Sequence, residues 1–220
     1  MDPRSPITPW PAPKDAPALL FGGSFDPPHR AHAELAVAAR DRAMPDAWLV
    51  VIPASRSPHK SVGPAASDED RVRMLEIAFA NTTSVSIWTD EIDRASAGMP
   101  SFWSNTLDRV LAARPDGLEG VRFLIGADQA LAFHRWHDAV KVLQRCQPVV
   151  IPRGEITSVG QLSDALERTR AWSDRDLAVW RRSFIDVSPM RVSSTKVRAG
   201  TTDDVDPRVL EYIDERGLYR

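Results

Sequence analysis

Five short apolar runs constrain this chain more than any other feature: residues 19–21, 48–52, 85–88, 121–125 and 148–151. Their apolar residues are continuous rather than alternating, which is how strands covered on both faces of a parallel sheet read. Helical stripes lie between them. Val72, Leu75 and Phe79 follow i, i+3, i+7, Leu107, Val110 and Leu111 follow i, i+3, i+4, and Leu162, Ala165 and Leu166 repeat the latter spacing. Strands alternating with helices predict an α/β fold built on a doubly wound parallel sheet. A last strand is expected at 184–187. A terminal helix is expected with Asp206 at its N-cap and Pro207 at N1, burying Val209, Tyr212 and Ile213 and stopping at Gly217.

A chain of 220 residues suits a single core. Six prolines within residues 1–17 predict an extended, flexible tail, leaving 18–220 as the one domain. Residues 153–183, with Trp172 and Trp180, read as a helical excursion without an assigned role. A net charge of −2 offers no electrostatic footprint for nucleic acid, so no nucleic-acid partner is expected. The single cysteine, Cys146, excludes an internal disulfide, fits a reducing compartment and reads as a small buried hydrophobe. No run approaches the roughly 18 apolar residues of a membrane span, and the N-terminus lacks the apolar core of a signal peptide. A cytoplasmic protein without a membrane partner is expected.

The first apolar run leads directly into Gly22-Gly23-Ser24-Phe25-Asp26-Pro27-Pro28-His29-Arg30-Ala31-His32, and residues 33–42 then run helix-compatible without Gly or Pro. Strand, glycine turn and helix start together make a phosphate site. The glycines let backbone approach an anion, and the first helical N–H groups hold it. His29 and His32 stand three apart, share a helical face, and can each donate to a phosphoryl oxygen whose charge changes in a reaction. Without the glycine turn, H-x-x-H reads most often as two surface histidines and less often as a metal pair. In a doubly wound sheet the ligand crevice opens beyond the strands' carboxyl ends, where this motif falls.

Two further segments carry phosphate chemistry. In Ser193-Ser194-Thr195-Lys196-Val197-Arg198 three hydroxyls can cap a helix or donate to phosphate, and Arg198 shares a face with Ser194 and Thr195. By itself that pattern is a capped surface helix. In Ser57-Pro58-His59-Lys60, just past the second strand, Lys60 could neutralise a phosphate or simply be an exposed loop lysine.

These motifs resemble the nucleotidyltransferase superfamily, whose pattern is a glycine turn, F-D-P and H-x-G-H, with I-S-S-T-x-x-R farther on. Here Ala31 replaces the glycine before the second histidine, and Val192 stands for the isoleucine. Pro58-His59-Lys60, Arg71 with Met74, Pro100-Ser101, Gly126-Ala127-Asp128 with Trp136, and Tyr212-Ile213 with Leu218-Tyr219 are similar, in order and spacing, to bacterial nicotinate mononucleotide adenylyltransferases. The substrate loop departs from that family's P-S-Y-T-x-D-T-L at Phe102, Trp103 and Asn105.

The resemblance implies a Rossmann-like fold and adenylyl transfer from ATP to nicotinate mononucleotide. It implies His29, His32, Lys60 and Arg198 as catalytic, and Gly22, Gly23, Ser24, Phe25, Gly126, Asp128, Ser193, Ser194 and Thr195 as ATP-binding. Ser101, Trp103 and Trp136 would take the mononucleotide, with Asp128 accepting from ribose hydroxyls and Trp136 facing a cationic pyridine ring. Mg²⁺ would arrive with ATP and no protein-held metal is expected; an oligomer stays open. The alternatives are a nicotinamide or dual-specificity adenylyltransferase, a phosphopantetheine adenylyltransferase, and a non-catalytic nucleotide sensor. A class I aminoacyl-tRNA synthetase shares the histidine motif, but this chain lacks its length and basic surface.

Overall fold

The computed structural model describes residues 7–56, 63–95, 102–114, 116–188, 194–200 and 204–220. The five apolar runs become β1 (Ala18–Gly23), β2 (Trp48–Pro53), β3 (Val85–Ile87), β4 (Val121–Gly126) and β5 (Gln147–Ile151). All pair in parallel, in the order β3-β2-β1-β4-β5, with Leu19 beside Leu49 and Leu20 beside Phe123. The chain winds outward from β1 to β3 and then crosses back to β4, so the switch point lies between β1 and β4. Pro148 costs the sheet nothing, because β5 is an edge strand.

Among the described residues ten helices surround the sheet: α1 (Arg30–Ala43), α2 (Asp68–Phe79), α3 (Asp90–Asp93), α4 (Trp103–Ala113), α5 (Ala127–Ala132), α6 (Ala139–Arg145), α7 (Val159–Thr169), α8 (Asp174–Ser183), α9 (Ser194–Arg198) and α10 (Pro207–Arg216). None is long and apolar enough to cross a membrane. On one face Leu20, Val50, Phe123 and Val150 meet Leu107 of α4, Leu143 of α6, Leu162 of α7 and Trp180 of α8. On the other, Leu19, Val51, Leu124 and Val149 meet Ala36 and Ala39 of α1 and Leu75 and Phe79 of α2. Successive strand residues feed opposite cores, hence the continuous apolar runs.

The terminal helix forms as its caps require. Asp206 accepts the Arg208 backbone N–H, Pro207 is the first helical residue, and Gly217 closes the helix at φ +63°. Of its expected core face only Val209 is fully buried; Tyr212 and Ile213 are half-buried against α2. Leu111 of α4 is exposed, although its spacing placed it on the buried stripe. The strand expected at 184–187 reduces to one bridge, Val150 to Phe184. Residues 153–183 are indeed helical, as α7 and α8, and Trp172 and Trp180 pack with Phe133 in one aromatic cluster. Cys146 is buried, and burial pushes its thiol up to about 12.

The proline-rich segment corrects the expectation of a free tail over its described part. Residues 7–17 form neither helix nor strand, turn at Pro13–Ala16, and are packed through Trp10. Trp10 stands edge-on to Trp88 at 5.3 Å, with the Arg114 guanidinium 5.3 Å over its ring. The Thr8 backbone N–H donates to Asp90, and Thr8 O and Pro11 O accept from Trp88 Nε1 and Ser86 Oγ. Proline composition favours extension; it does not decide whether aromatic side chains within the run find a surface. Trp10→Ala should lower stability by about 2 kcal/mol, less than loss of a fully buried tryptophan. Urea unfolding at neutral pH checks this, and an unchanged midpoint would return the segment to the solvent.

Candidate active site

The glycine turn sits where β1 ends, and its geometry follows from three aromatic rings. A Cβ on Gly22 would lie 2.6 Å from the Trp103 indole, and one on Gly23 would lie 2.9 Å from the Phe25 ring. Phe25 itself is held at φ +47°, a left-handed conformation that a bulky residue rarely adopts. Its ring is buried and stands edge-on to Phe21 at 5.2 Å and to the His32 imidazole at 5.0 Å. The turn is therefore set by packing, and its residues 22–25 line a cavity.

α1 begins at Arg30, with His29 at its N-cap. The two imidazoles stack, centroids 3.6 Å apart. His32 Nδ1 accepts the His29 backbone N–H at 3.2 Å, which leaves the proton on Nε2 of the neutral ring. His32 lines a cavity of about 450 Å³ together with Gly22, Gly23, Ser24 and Phe25. His29 lies behind it, 4% exposed, with neither ring nitrogen bonded to protein. The structure thus brings one of the two histidines to the cavity wall and stacks the other against it.

Asp26 assembles the rest. Its buried carboxylate accepts the backbone N–H groups of Ala65 and Ala66 at 2.8 and 3.1 Å and the Tyr219 hydroxyl at 2.8 Å. Arg198 Nη1 stands 3.7 Å from the carboxylate and also donates to the Asp26 carbonyl. Ser194 Oγ donates to Pro27 O at 2.9 Å. Residues 167 and 172 positions downstream are thereby fastened to the glycine turn, and Ser194, Thr195 and Arg198 line the same cavity as His32. Burial and the Asp26 charge together push the Tyr219 phenol well above its ordinary range.

The cavity's other walls come from α3, α4, β4 and the chain after β5. Gly126 and Gln129 line it, and so do Phe102, Trp103, Trp136 and His137. Trp136 packs against Phe133 at 4.7 Å. Asp128 stands just outside the lining, ion-paired to Arg153 at 3.5 Å, with Oδ1 accepting no hydrogen bond. Lys60, Ser101 and Ser193, expected at this site, lie outside the described residues.

Four charged residues that hold or line the cavity had no role assigned from sequence. Asp26 was read only as part of a motif. Arg71, fully buried, donates to Ser24 O at 2.7 Å and Ala54 O at 2.8 Å, tying the turns after β1 and β2 together. Glu91 is a buried cavity carboxylate that accepts from Thr106. Arg153 lines the cavity directly after β5. Glu91 and Arg153 share one detectable signal: each is a charged residue within a few positions of a strand's carboxyl end.

The His29 environment sets a pH dependence. Burial, with the Arg153 charge adding to it, lowers the imidazole from 6.5 to about 4. Between those values the unfolded chain holds a proton that the folded chain does not, so this stability is complete above pH 6.5 and lost as pH falls toward 4. The unfolding free energy should drop by about 3 kcal/mol from this group over that interval. His29→Gln should remove that portion of the slope. A pH profile identical in the variant would mean that the buried imidazole titrates normally. Asp70, held below the ordinary carboxylate range by Ser67, Tyr212 and Arg216, gives up its own contribution at lower pH still.

Comparison with known proteins agrees with this geometry. A model of the cytidylyltransferase-like family matches residues 20–200. A probable nicotinate-nucleotide adenylyltransferase of Gloeobacter violaceus is 32% identical, covering 91% of this chain and 94% of that protein. One of the same name from Chromobacterium violaceum is also 32% identical, covering 91% and 97%. Among solved structures, the Plasmodium falciparum nicotinic acid mononucleotide adenylyltransferase complexed with NaAD superimposes with a TM-score of 0.63, covering 92% of this chain and 96% of that one. At 17% identity this last likeness speaks for the fold.

Proposed function

Because the chain belongs to the cytidylyltransferase-like family, and within it to the nicotinate-nucleotide adenylyltransferases that match it over 91% of its length, we propose that it joins nicotinate mononucleotide to ATP. The products are deamido-NAD and pyrophosphate, a step of NAD biosynthesis. One observation carries the reading: segments 22–32 and 194–198 meet around a single cavity at the carboxyl ends of β1 and β4.

The mononucleotide 5′-phosphate attacks the α-phosphorus of ATP in line. The new bond is P–O, the bond from the α-phosphorus to the α,β-bridging oxygen breaks, and pyrophosphate leaves with that electron pair. The nucleophile is already ionised at neutral pH, so the protein's work is positioning and charge stabilisation. His32 donates from Nε2 to a phosphoryl oxygen. His29, neutral at physiological pH, has N–H capacity that no protein atom uses, and a phosphoryl oxygen entering beside it would satisfy that donor. Ser193, Ser194, Thr195 and Arg198 hold the leaving pyrophosphate, and Lys60 helps neutralise the phosphate charge. Gly22 and Gly23, lacking side chains, let phosphate approach the backbone.

Asp128, with a carboxylate oxygen lacking a donor, suits the adenosine ribose, and Gly126 leaves room beside it. Trp136 and Trp103 offer faces to the pyridinium ring, and Ser101 would hydrogen-bond the same mononucleotide. The donor set also fits Mg²⁺ carried on ATP. Phosphate oxygens and water would hold the ion, as is common for magnesium on a nucleotide. Bound that way, the ion supplies charge neutralisation on the triphosphate. Cysteine usage favours a cytoplasmic setting.

Two measurements test the reading. His32→Ala should lower kcat by about 10²–10³ while leaving the fold intact, the usual loss for one transition-state donor; near-normal turnover would remove His32 from the chemistry. Pyrophosphate release from ATP should be about 10- to 10³-fold more efficient with nicotinate than with nicotinamide mononucleotide, given one or two charge-assisted bonds to the ring carboxylate. Equal kcat/KM values would overturn the choice of mononucleotide but not the transfer chemistry.

A further inference from the structure

Arg153 takes no part in the steps above, yet its setting is that of a ligand-binding cation. It stands two residues past the end of β5, on a closed turn. Its backbone N–H donates to Ile156 O at 3.1 Å, the Ile156 N–H returns to Arg153 O at 3.3 Å, and Gly154 makes the bend at φ +64°. Ile156 is packed against the core, so the turn is anchored. From this mount the side chain crosses the end of β4. Gly126 is what allows the crossing: a Cβ there would lie 2.7 Å from Arg153 Cδ.

The guanidinium reaches the cavity incompletely satisfied. Its ion pair with Asp128 is made through Nε at 3.5 Å, and both side chains are about two-fifths exposed, at 44% and 39%. The two terminal nitrogens are the planar fork that binds phosphate oxygens in pairs. Arg198, which also lines the cavity, is partly committed to Asp26, whereas among the described residues Arg153 has this one weak partner. Its charge is also felt at His29, so it lies within electrostatic reach of the histidine pair.

We propose that Arg153 is a binding residue for the ATP polyphosphate, its fork taking phosphate oxygens while Asp128 is released to the ribose hydroxyls. This rests on the adenylyltransferase reading and extends it to a residue no motif assigned. The exchange is economical, because the ion pair holds both side chains near the crevice before ATP arrives. It also explains why a glycine stands at 126, where a side chain would displace Arg153 and Asp128 together.

The test is titration of ATP onto the full chain by calorimetry, without mononucleotide, for wild type, Arg153→Ala and Arg153→Lys. Charge-assisted bonds at a half-exposed site predict roughly 10-fold weaker ATP binding in Arg153→Ala, partly restored by lysine. In steady-state assays KM for ATP should rise by about the same factor, with KM for nicotinate mononucleotide within about twofold of wild type. Unchanged ATP affinity overturns the proposal. So does a rise confined to nicotinate mononucleotide with a narrowed preference over nicotinamide mononucleotide, which would assign the guanidinium to the ring carboxylate. Because binding is read without turnover, wild type that binds ATP but releases no pyrophosphate would sink the parent reading alone. Arg153→Ala and wild type should melt together, so a weakened titration is not a folding defect.

Discussion

The Asp26 carboxylate is the interaction on which the site depends. It sits buried in the turn after β1 and satisfies both its oxygens with partners from three other places: the chain before α2, Arg198 of α9, and Tyr219 at the end of the chain. A buried carboxylate with partners on separate segments acts as a clasp, since hydrogen bonds to a charged group contribute roughly 1.5–3 kcal/mol each. Removing the charge would leave Arg198 facing an uncompensated site and the Ala65 and Ala66 amides without acceptors, which is far costlier than losing a surface pair. Asp70 repeats the device one layer out, binding Tyr212 and Arg216 of α10 to the start of α2. The C-terminal segment is thereby tied to the glycine turn and to the helix behind it.

Rigidity around the cavity comes from buried arginines. Arg71 spans the turns after β1 and β2, so the two strand ends cannot separate without breaking bonds to backbone carbonyls. On the opposite wall Asp90 pairs with Arg94 at 3.2 Å and accepts from Arg109 at 2.7 Å, and Thr8 of the N-terminal segment caps the cluster at 3.0 Å. The next residue, Glu91, lines the cavity. The proline-rich segment thus supports the wall from which Phe102 and Trp103 project. Such walls suit phosphoryl-transfer chemistry, where donors must already be aimed before charge develops.

Much of the fold was readable because burial on two faces leaves a plain mark in sequence. Five continuous apolar runs became five parallel strands, and the helix from Asp206 to Gly217 began and ended at its capping residues. The misreadings share a cause. Leu111 matched a helical stripe but faces solvent, residues 184–187 matched a strand but form a single bridge, and Trp10 sat among prolines but found Trp88. In each case local pattern was correct as far as it went, and a neighbour distant in sequence decided the outcome.

For the site, the sequence by itself determined which chemical groups are supplied: a glycine turn between strand and helix, two histidines three apart, and a hydroxyl-rich segment ending in arginine. Those are local, since backbone geometry and helical spacing are properties of adjacent residues. Tertiary structure alone decided how they are used. It set His29 behind His32, turned Asp26 from a motif letter into the clasp that brings Arg198 home, and carried Arg153 across Gly126 into the cavity. These outcomes depend on desolvation and on charges meeting across up to 172 positions of chain, and neither quantity exists until the chain has closed on itself.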